Sequence, residues 1–374
     1  MKKNVLWVLC ILSLAQLTAQ NESRLVLDAS PSQTNSNPLI RLRNSSGNDV
    51  LWIHSDSWTN TFLGVGAGTS NYPSNVIDGI YNTFIGSSAG LYNNAGFENT
   101  GVGHAALYSM TGGDENTAVG SRSMYANTAG RYNTAIGNQA LGTTTGSENN
   151  VALGYQAGAF RNNGYNNTFL GAQTGAFDDG QYNIVAIGNG TNVMTNSTAI
   201  LGNSATQKNG GYQNWSNISD GRFKKNIKKN VVGLEFIMRL NPVTYNLDVT
   251  GLSKALHENQ NKEWNDQMKR AIAEKEKMIQ TGFIAQEVEK AAQECGYNFS
   301  GVETPKNEAD VYSLRYAEFV VPLVKAMQEL NEELKSQVKN LNKTNEILAR
   351  RVEILEAQFG TGSQVAIMED PENN

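Results

Sequence analysis

Asn116-Thr117-Ala118-Val119-Gly120 is followed 17 residues later by Asn133-Thr134-Ala135-Ile136-Gly137, and this repeated phrase decides the fold of the first half of the chain. The closing glycine returns at the same interval of 17 residues in Gly86, Gly103, Gly120, Gly137, Gly154, Gly171 and Gly188. The intervals on either side of this run are 22 residues, from Gly64, and 14 residues, to Gly202. A fixed short period indicates a solenoid whose terminal coils are atypical.

Each coil is predicted to supply one short strand whose residues alternate between two faces. The aliphatic residue before the closing glycine, such as Val119, is expected to point inward, so that stacked coils bury an apolar column. The asparagines are expected to form hydrogen-bonded ladders, and the glycines to adopt a positive φ at a tight corner. Second half-phrases such as Ser88-Ala89-Gly90 and Gln156-Ala157-Gly158 are predicted to form the returning side of the coil.

The repeated phrase resembles the head repeats of trimeric autotransporter adhesins, and the resemblance covers about Asn60 to Gly202. It implies a left-handed parallel β-roll in which three chains pack side by side. The period of this chain is longer than the usual coil of that family, so larger loops are expected. Membrane anchoring is not carried over from that family.

Acidic residues of the repeat region bear on whether the head cuts glycans, since a glycosidase needs two carboxylates that converge on one bond. The acids are Asp78, Glu98, Asp114, Glu115, Glu148, Asp178 and Asp179. Most lie in predicted turns, which favours solvated loop residues. His54 and His104 are isolated, with no cysteine or second histidine at ligand spacing, so no metal site and no cofactor are expected.

Tyrosines recur through the same region and could stack on sugars, although capping the surface of the roll is the favoured role. They are Tyr81, Tyr92, Tyr108, Tyr125, Tyr132, Tyr155, Tyr165 and Tyr182. A surface glycan or another cell-surface ligand is therefore a candidate partner.

The candidate chemical site lies where the repeats give way to charged, helix-rich sequence, at Ser219-Asp220-Gly221-Arg222-Phe223-Lys224. If the two side chains meet, Lys224 can take the proton of Ser219 and make its oxygen nucleophilic. The natural target is the chain's own Ile218–Ser219 bond, with Asp220 and Arg222 as supporting residues. The six residues alone are also typical of an ordinary solvated surface.

The sequence after the junction predicts a short amphipathic helix over Gly233–Leu240 and a strand after Pro242. Helix-rich sequence is expected from about Leu252 to Ile279, and then a turn that feeds a further helix over 281–289.

Four elements, in order, resemble the endosialidase-type intramolecular chaperone family, which comprises self-cleaving C-terminal domains of phage tailspikes and tail fibres and also occurs in the myelin regulatory factor. They are Ser219-Asp220 with Lys224, Leu240-Asn241-Pro242-Val243-Thr244-Tyr245, Gly282-Phe283-Ile284-Ala285-Gln286-Glu287-Val288, and Tyr316-Ala317-Glu318 before a long helix. The resemblance spans roughly Ser219 to Leu355. It implies a domain that trimerises, helps a β-structured stem to fold and cuts itself free before the serine. Ser219 would be the nucleophile and Lys224 its proton acceptor.

Apolar residues near the C-terminus follow steps of three and four that predict a coiled coil with one stutter. They are Val320, Leu323, Met327, Leu330, Leu334, Val338, Leu341, Leu348, Val352 and Leu355. Asn345 occupies a seam position, as a register-setting buried polar residue or as a tolerated surface residue. The seam predicts an oligomer without fixing three strands over two.

Composition and charge limit the other function classes. The net charge of −5 gives no global argument for nucleic acid, and the basic run Arg222 to Lys229 is interpreted as a solvated face. Met1 to Ala19 has the pattern of a secretory signal, so export is expected; Cys10 offers a less favoured lipoprotein alternative. Removal of the signal would leave Cys295 alone, so neither an intrachain disulfide nor a cysteine metal site is expected. No later segment is long and apolar enough to predict a membrane span.

These patterns together predict an exported homotrimeric surface fibre: a mainly β first half, a parallel β-roll, followed by an α+β self-cleaving chaperone domain and a coiled coil. The expected segments are 1–19 signal, 20–59 N-terminal β cap, 60–203 repeat head, 204–218 linker, 219–319 chaperone and peptidase domain, 320–358 coiled coil and 359–374 tail. Two alternatives stay open: an uncut adhesin with the C-terminal region as a trimerisation foot, and a tailspike-like glycan-active enzyme.

Overall fold

The computed structural model describes residues 40–73, 78–159, 164–258 and 264–360. The predicted signal segment, and all but the first residues of the predicted tail, lie outside the described residues. The chain divides into two compact units. The solenoid unit holds the described residues up to Gly210 together with two later segments, Asp248–Glu276 and Asn307–Asp310. The C-terminal unit holds the remaining residues.

The solenoid unit is built on an 11-stranded sheet. Its strands are β1 Ile40–Arg43, β2 Asp49–His54, β3 Thr61–Leu63, β4 Thr83–Ile85, β5 Thr100–Val102, β6 Thr117–Val119, β7 Thr134–Ile136, β8 Val151–Leu153, β9 Thr168–Leu170, β11 Val185–Ile187 and β13 Ala199–Leu201. The hairpin β1–β2 is antiparallel, β2 pairs antiparallel with β3, and every later pair is parallel. The short strands β10 (Gly175–Ala176) and β12 (Asn192–Val193) form a second parallel pair. The predicted solenoid is confirmed.

The direction in which the strand residues point differs from the prediction. The residue before the closing glycine is exposed or half-buried, and Ile136 keeps 40% of its surface. The middle residue of the strand is buried instead, as with Ala118 and Ala135. Because a three-residue strand can send only its middle residue to one face, burying Ala135 turns the aliphatic residue outward.

Volume complementarity within each coil explains this choice. A small middle residue faces a large side chain six positions later: Ala118 precedes Met124 and Ala135 precedes Leu141, and all four are fully buried. A large middle residue instead faces a glycine. A Cβ on Gly90 would lie 2.5 Å from the ring of Phe84. In these coils the two positions together keep a similar side-chain volume. Ala152 and Gly158 are both small, and the side chains of Leu141 and Phe169 from the neighbouring coils approach Gly158 instead.

The predicted asparagine ladder is present and buried. Asn133 Nδ2 donates to Asn116 Oδ1 over 3.1 Å and to the Ser147 carbonyl over 2.7 Å, and Asn150 repeats the pattern on Asn133. The backbone N–H of each ladder asparagine also donates to the Oδ1 of the previous one. Every coil thus ties its neighbour through a side chain as well as through the strand.

The closing glycines adopt the predicted positive φ. Gly120 has φ +130°, and a Cβ there would lie 2.5 Å from the carbonyl oxygen of Gly137. Both the backbone conformation and the contact with the next coil require glycine at this position.

The sequence after the junction is mixed α and β and ends in a long helix, as predicted. Its elements are a 3-10 turn Gly221–Phe223, α1 Leu234–Met238, β14 Val243–Asn246, α2 Val249–Ala255, α3 Asp266–Glu276, β15 Ile279–Gly282, α4 Ala285–Glu294, β16 Val302–Glu303, β17 Ser313–Leu314, a 3-10 turn Tyr316–Phe319 and α5 Val320–Gly360. Two details differ from the expectation. Ile279 belongs to a strand, because β15 pairs antiparallel with β14, and Thr281 continues that strand rather than forming a turn.

The segment Asp248–Glu276 folds with the last coils of the solenoid. Asn192 Nδ2 donates to the carbonyl of His257 over 2.8 Å, and the His257 ring lies 4.7 Å from that of Phe177. From the second segment, Asn307 Nδ2 donates to the Met194 carbonyl over 3.0 Å. Residues that follow the junction in sequence therefore complete the solenoid unit.

The segment Asp248–Glu276 is called the solenoid cap, and the buried carboxylate of Glu258 holds it in place. Glu258 Oε1 accepts a 2.8 Å hydrogen bond from the Ser204 N–H, and Glu258 Oε2 accepts one from the Ser204 hydroxyl. Lys275 Nζ donates to the carbonyls of Ser204 and Thr206 over 2.7 and 2.6 Å. Burial raises the pKa of the Glu258 carboxyl, although the hydrogen bonds from Ser204 and the charge of Lys275 lower it.

The C-terminal unit has its own core, in which α1 and α4 pack with the 3-10 turn that precedes α5. Phe236, Val288, Phe299 and Phe319 are buried together. Gly233 lies directly against α5, where Glu329 Oε2 accepts a 2.7 Å hydrogen bond from the Leu234 N–H and caps α1.

Candidate functional site

The candidate site is formed by one short turn of backbone. Asp220 caps the 3-10 turn Gly221–Phe223 by accepting the Arg222 N–H over 2.9 Å. The Lys224 N–H then donates to the Gly221 carbonyl over 3.1 Å. This turn brings the side chain of Lys224 back toward Ser219.

Ser219 and Lys224 meet. Lys224 Nζ donates to Ser219 Oγ over 2.7 Å. A serine hydroxyl in contact with an amine is the minimal pair for nucleophilic attack with proton transfer. The bond between Ser219 and the 96% exposed Ile218 lies directly beside this pair.

Asp220 and Arg222 pair with each other. Arg222 Nε and Nη2 donate to Asp220 Oδ2 over 2.9 and 2.6 Å. The hydrogen bond from Arg222 holds the pKa of the Asp220 carboxyl below its usual value, and the carboxyl raises the pKa of Arg222. Within the described part of the chain, no carboxylate lies within ion-pair distance of Lys224. The Asp220–Arg222 pair therefore stabilises the turn and leaves the amine facing the hydroxyl.

The site of a single chain is open to water. Ser219, Lys224 and the basic residues that follow, up to Lys229, are all exposed. Among the described residues, no hydrogen-bond donor contacts the Ile218 carbonyl oxygen, where charge would develop during attack. The described residues of the single chain thus place the hydroxyl beside the amine but supply neither desolvation nor a donor to the Ile218 carbonyl.

The other three elements of the predicted chaperone domain converge in one place. Val243 pairs with Gly282 across β14 and β15, and the Phe283 N–H donates to Tyr316 Oη over 3.1 Å. The Phe283 and Phe319 rings stack with centroids 5.4 Å apart. Three segments that are far apart in sequence therefore build one packed contact, and this contact requires all three of them.

Two apolar surfaces are exposed in the single chain. The seam of α5 is open to solvent along its length, with Leu341 60% and Leu348 51% exposed. The outward column of the solenoid consists of the strand residues before the closing glycines: Leu63, Ile85, Val102, Val119, Ile136, Leu153, Leu170, Ile187 and Leu201. Of this column, Ile136, Leu153 and Leu201 are exposed and the other six residues are half-buried. Exposed apolar residues in neighbouring positions are typical of interaction sites.

Among the described residues there is no group of three or more histidine, cysteine or acidic side chains placed to hold a metal ion. None of the helices in the described ranges is long and apolar enough to cross a membrane. The Arg131–Glu148 ion pair, at 3.4 Å, joins one of the turn acids to its neighbouring coil.

The hydrogen bonds between Glu258 and Ser204 were not predicted from the sequence. Glu258 and Ser204 are 54 residues apart and belong to no repeat. A lone glutamate in a polar segment carries no periodic signal, so the contact becomes visible only in the folded chain.

Comparison with protein families gives one match. Residues 219–297 match the family described as chaperone of endosialidase, and the match begins at Ser219. No curated protein matches the chain. No solved structure matches it either. The chain thus contains, behind its β-solenoid, a region similar to the endosialidase chaperone family.

Proposed function

We propose that this protein is an exported, homotrimeric surface fibre or adhesin-like protein whose C-terminal domain promotes folding and then cuts itself off between Ile218 and Ser219. The observation that carries the proposal is the 2.7 Å contact of Lys224 Nζ with Ser219 Oγ, at the residue where the chaperone family match begins. Export rests on the secretory pattern of residues 1–19.

The cut is an N-to-O acyl shift followed by ester hydrolysis. Neutral Lys224 accepts the hydroxyl proton while Ser219 Oγ attacks the carbonyl carbon of Ile218. The C–N bond then breaks, and Lys224 returns the proton to the leaving Ser219 nitrogen. Water hydrolyses the ester, which gives a carboxyl group on Ile218 and restores the Ser219 hydroxyl beside its new amino group.

Assembly supplies what the single chain lacks. A lysine amine has an unperturbed pKa of about 10.4 and becomes a useful base near neutral pH only when it is desolvated or placed beside other positive charge. Neighbouring chains that cover Lys224 and bring Arg222 and Lys225 close would provide both conditions. Cutting is therefore restricted to the assembled trimer.

The two exposed apolar surfaces account for the trimer. Association of three α5 helices buries the seam in knobs-into-holes packing. The outward aliphatic column of each solenoid then faces two other copies, consistent with the side-by-side packing that the adhesin-head resemblance implies. Both surfaces are continuous and belong to the same chain, which favours self-association over a foreign partner.

Register explains why such a fibre needs a chaperone. Three identical chains, each with a run of similar 17-residue repeats, can align after a slip of one whole coil with loss of only the terminal contacts. A coiled coil that associates first raises the effective concentration of the heads and fixes their ends together. The cut then makes assembly irreversible.

Sedimentation velocity of the head alone tests the chaperone role. A protein truncated after Ile218 is expected to give aggregates or out-of-register species, whereas the full chain gives one defined trimer. The same trimer in the same yield from the truncated protein would remove the reason for the domain.

The exposed site favours one alternative, an uncut adhesin in which the C-terminal region stays as a trimerisation foot. Denaturing gels of the mature protein separate the two: one band of full length supports the foot and two fragments support the cut. A glycan-cutting head would instead require two carboxylates converging on one groove.

A further inference from the structure

A row of tyrosines runs along one corner of the solenoid and stops abruptly. Tyr108 and Tyr125 occupy equivalent positions in successive coils, with stacked ring centroids 4.8 Å apart, and Tyr92, one position further along the preceding coil, packs edge-on against Tyr108 at 5.1 Å. Backbone hydrogen bonds continue the same register, since the Ala126 N–H donates to the Gly142 carbonyl. The row therefore passes from three aromatic rings to a position without a side chain.

A cleft of about 320 Å³ opens where the row ends. It is lined by Arg122, Tyr125, Gln139, Gly142, Thr143, Gln156 and Ala159. One face of Tyr125 stacks on Tyr108 with an interplanar angle of 12°, and Gly142 and Ala159 occupy the next two equivalent positions. Adjacent coils are about 4.8 Å apart, so these two positions, which carry no ring of their own, span about 10 Å.

The cleft is lined by a charged group, an aromatic ring and two amides. The Arg122 guanidinium lies 5.8 Å from the centroid of the Tyr125 ring, and among the described residues no carboxylate pairs with it. Gln156 Nε2 donates to Gln139 Oε1 over 2.8 Å, which orders both amides at the edge of the cleft. The described lining thus combines one positive charge, one aromatic surface and two oriented amides, with no negative charge.

We propose that this cleft binds a carboxylated pyranose, as in an acidic surface saccharide. Apolar C–H faces of a sugar ring pack on aromatic side chains, amides bind ring hydroxyls, and the planar guanidinium pairs with a carboxylate through two hydrogen bonds. The lining offers no pair of carboxylates, so the saccharide is held and not hydrolysed. The proposal deepens the surface role proposed above and does not depend on the cut.

Calorimetric titration of the full chain carrying Ser219→Ala tests the site, because the uncut background separates ligand binding from cleavage. The probes are trigalacturonate, 3′-sialyllactose and neutral lactose. We expect one carboxylated probe to bind and lactose to bind at least about tenfold more weakly, since loss of a charge-assisted pair costs about 1.4 kcal/mol or more. Which acidic probe binds identifies the class of sugar acid.

Variants then assign the binding to the cleft. Arg122→Gln should weaken the acidic probe about tenfold and leave lactose unchanged, and Tyr125→Ala should weaken both, whereas Tyr125→Phe should retain binding. Tyr182→Ala is the matched control, because Tyr182 is an exposed tyrosine stacked on Tyr165 at 5.1 Å outside the cleft. Failure of both acidic probes to bind at millimolar concentration, or binding that is insensitive to Arg122→Gln and Tyr125→Ala, would overturn the proposal.

Discussion

Lys224 Nζ lies 2.7 Å from Ser219 Oγ, and both side chains are exposed in the single chain. The contact is made within the six-residue segment Ser219–Lys224, so it needs no other part of the molecule in order to form. An amine in open water is mostly protonated near neutral pH and accepts no proton. The pair is therefore present in the single chain, and we propose that assembly activates it.

Disruption of the α5 seam should abolish trimer and cleavage together. In a chain with Leu341→Asp and Leu348→Asp, charges replace two exposed apolar seam residues seven positions apart, so the helices cannot pack. Lys343→Asp with Arg350→Asp has the same spacing on the opposite face and should preserve both properties. Sedimentation equilibrium and denaturing gels provide the two measurements. Efficient cutting by a demonstrated monomer would refute the coupling.

The same seam variant also separates two roles of the C-terminal residues. It retains the segment Asp248–Glu276, which completes the solenoid unit, but lacks the association of α5. If register requires trimerisation, this chain should misassemble like the truncated head, even though its cap is present.

A Cβ on a closing glycine should break the stack of coils. Gly120→Ala forces alanine to φ +130° and places its Cβ 2.5 Å from the Gly137 carbonyl oxygen. The combined strain and overlap should cost at least about 2 kcal/mol of unfolding free energy. At Gly146, by contrast, a Cβ meets nothing within 4 Å, so Gly146→Ala should be nearly neutral. Denaturant unfolding followed by circular dichroism compares the two; equal midpoints would show that the glycine column is dispensable.

The solenoid cap should weaken as pH rises. Burial raises the folded-state pKa of Glu258, so its contribution to stability is fully present below the unfolded value of about 4.3 and is lost as pH rises through the folded value. Glu258→Gln keeps an acceptor for the Ser204 N–H without the titration. The wild type should therefore lose protection of strand β13 relative to this variant between acidic and neutral pH.

Hydrogen exchange of the β13 amides, compared at each pH between wild type and Glu258→Gln, provides the readout. Glu332→Gln, on the exposed surface of α5, is the control and should follow the wild type. A difference between wild type and Glu258→Gln that does not change with pH would contradict the assigned role of the carboxyl.

Repetition explains how much of the fold could be predicted. The recurring glycines and asparagines each make a contact with the next coil, so their period predicts the solenoid, the ladder and the positive φ directly. The prediction that the residue before the closing glycine points inward was wrong, because alternation in a three-residue strand is equally compatible with burying Ala135 or Ile136. The distinguishing signal was the six-residue pairing of small with large residues, such as Phe84 with Gly90.

Locality explains how much of the site could be predicted. Ser219 and Lys224 meet through a turn within the motif itself, so their spacing was informative. The Glu258 contact with Ser204 joins segments 54 residues apart and depends on where the cap lands on the last coil. No local pattern in the sequence specifies that position.

Intact mass spectrometry of the purified full-length protein, beside its Ser219→Ala and Lys224→Ala variants, tests the central claim most directly. We expect a wild-type C-terminal fragment that begins at Ser219, an N-terminal fragment that ends at Ile218, and single uncut chains from both variants. A wild type that stays whole as a demonstrated trimer, or fragments of unchanged cut position in Ser219→Ala, would contradict it.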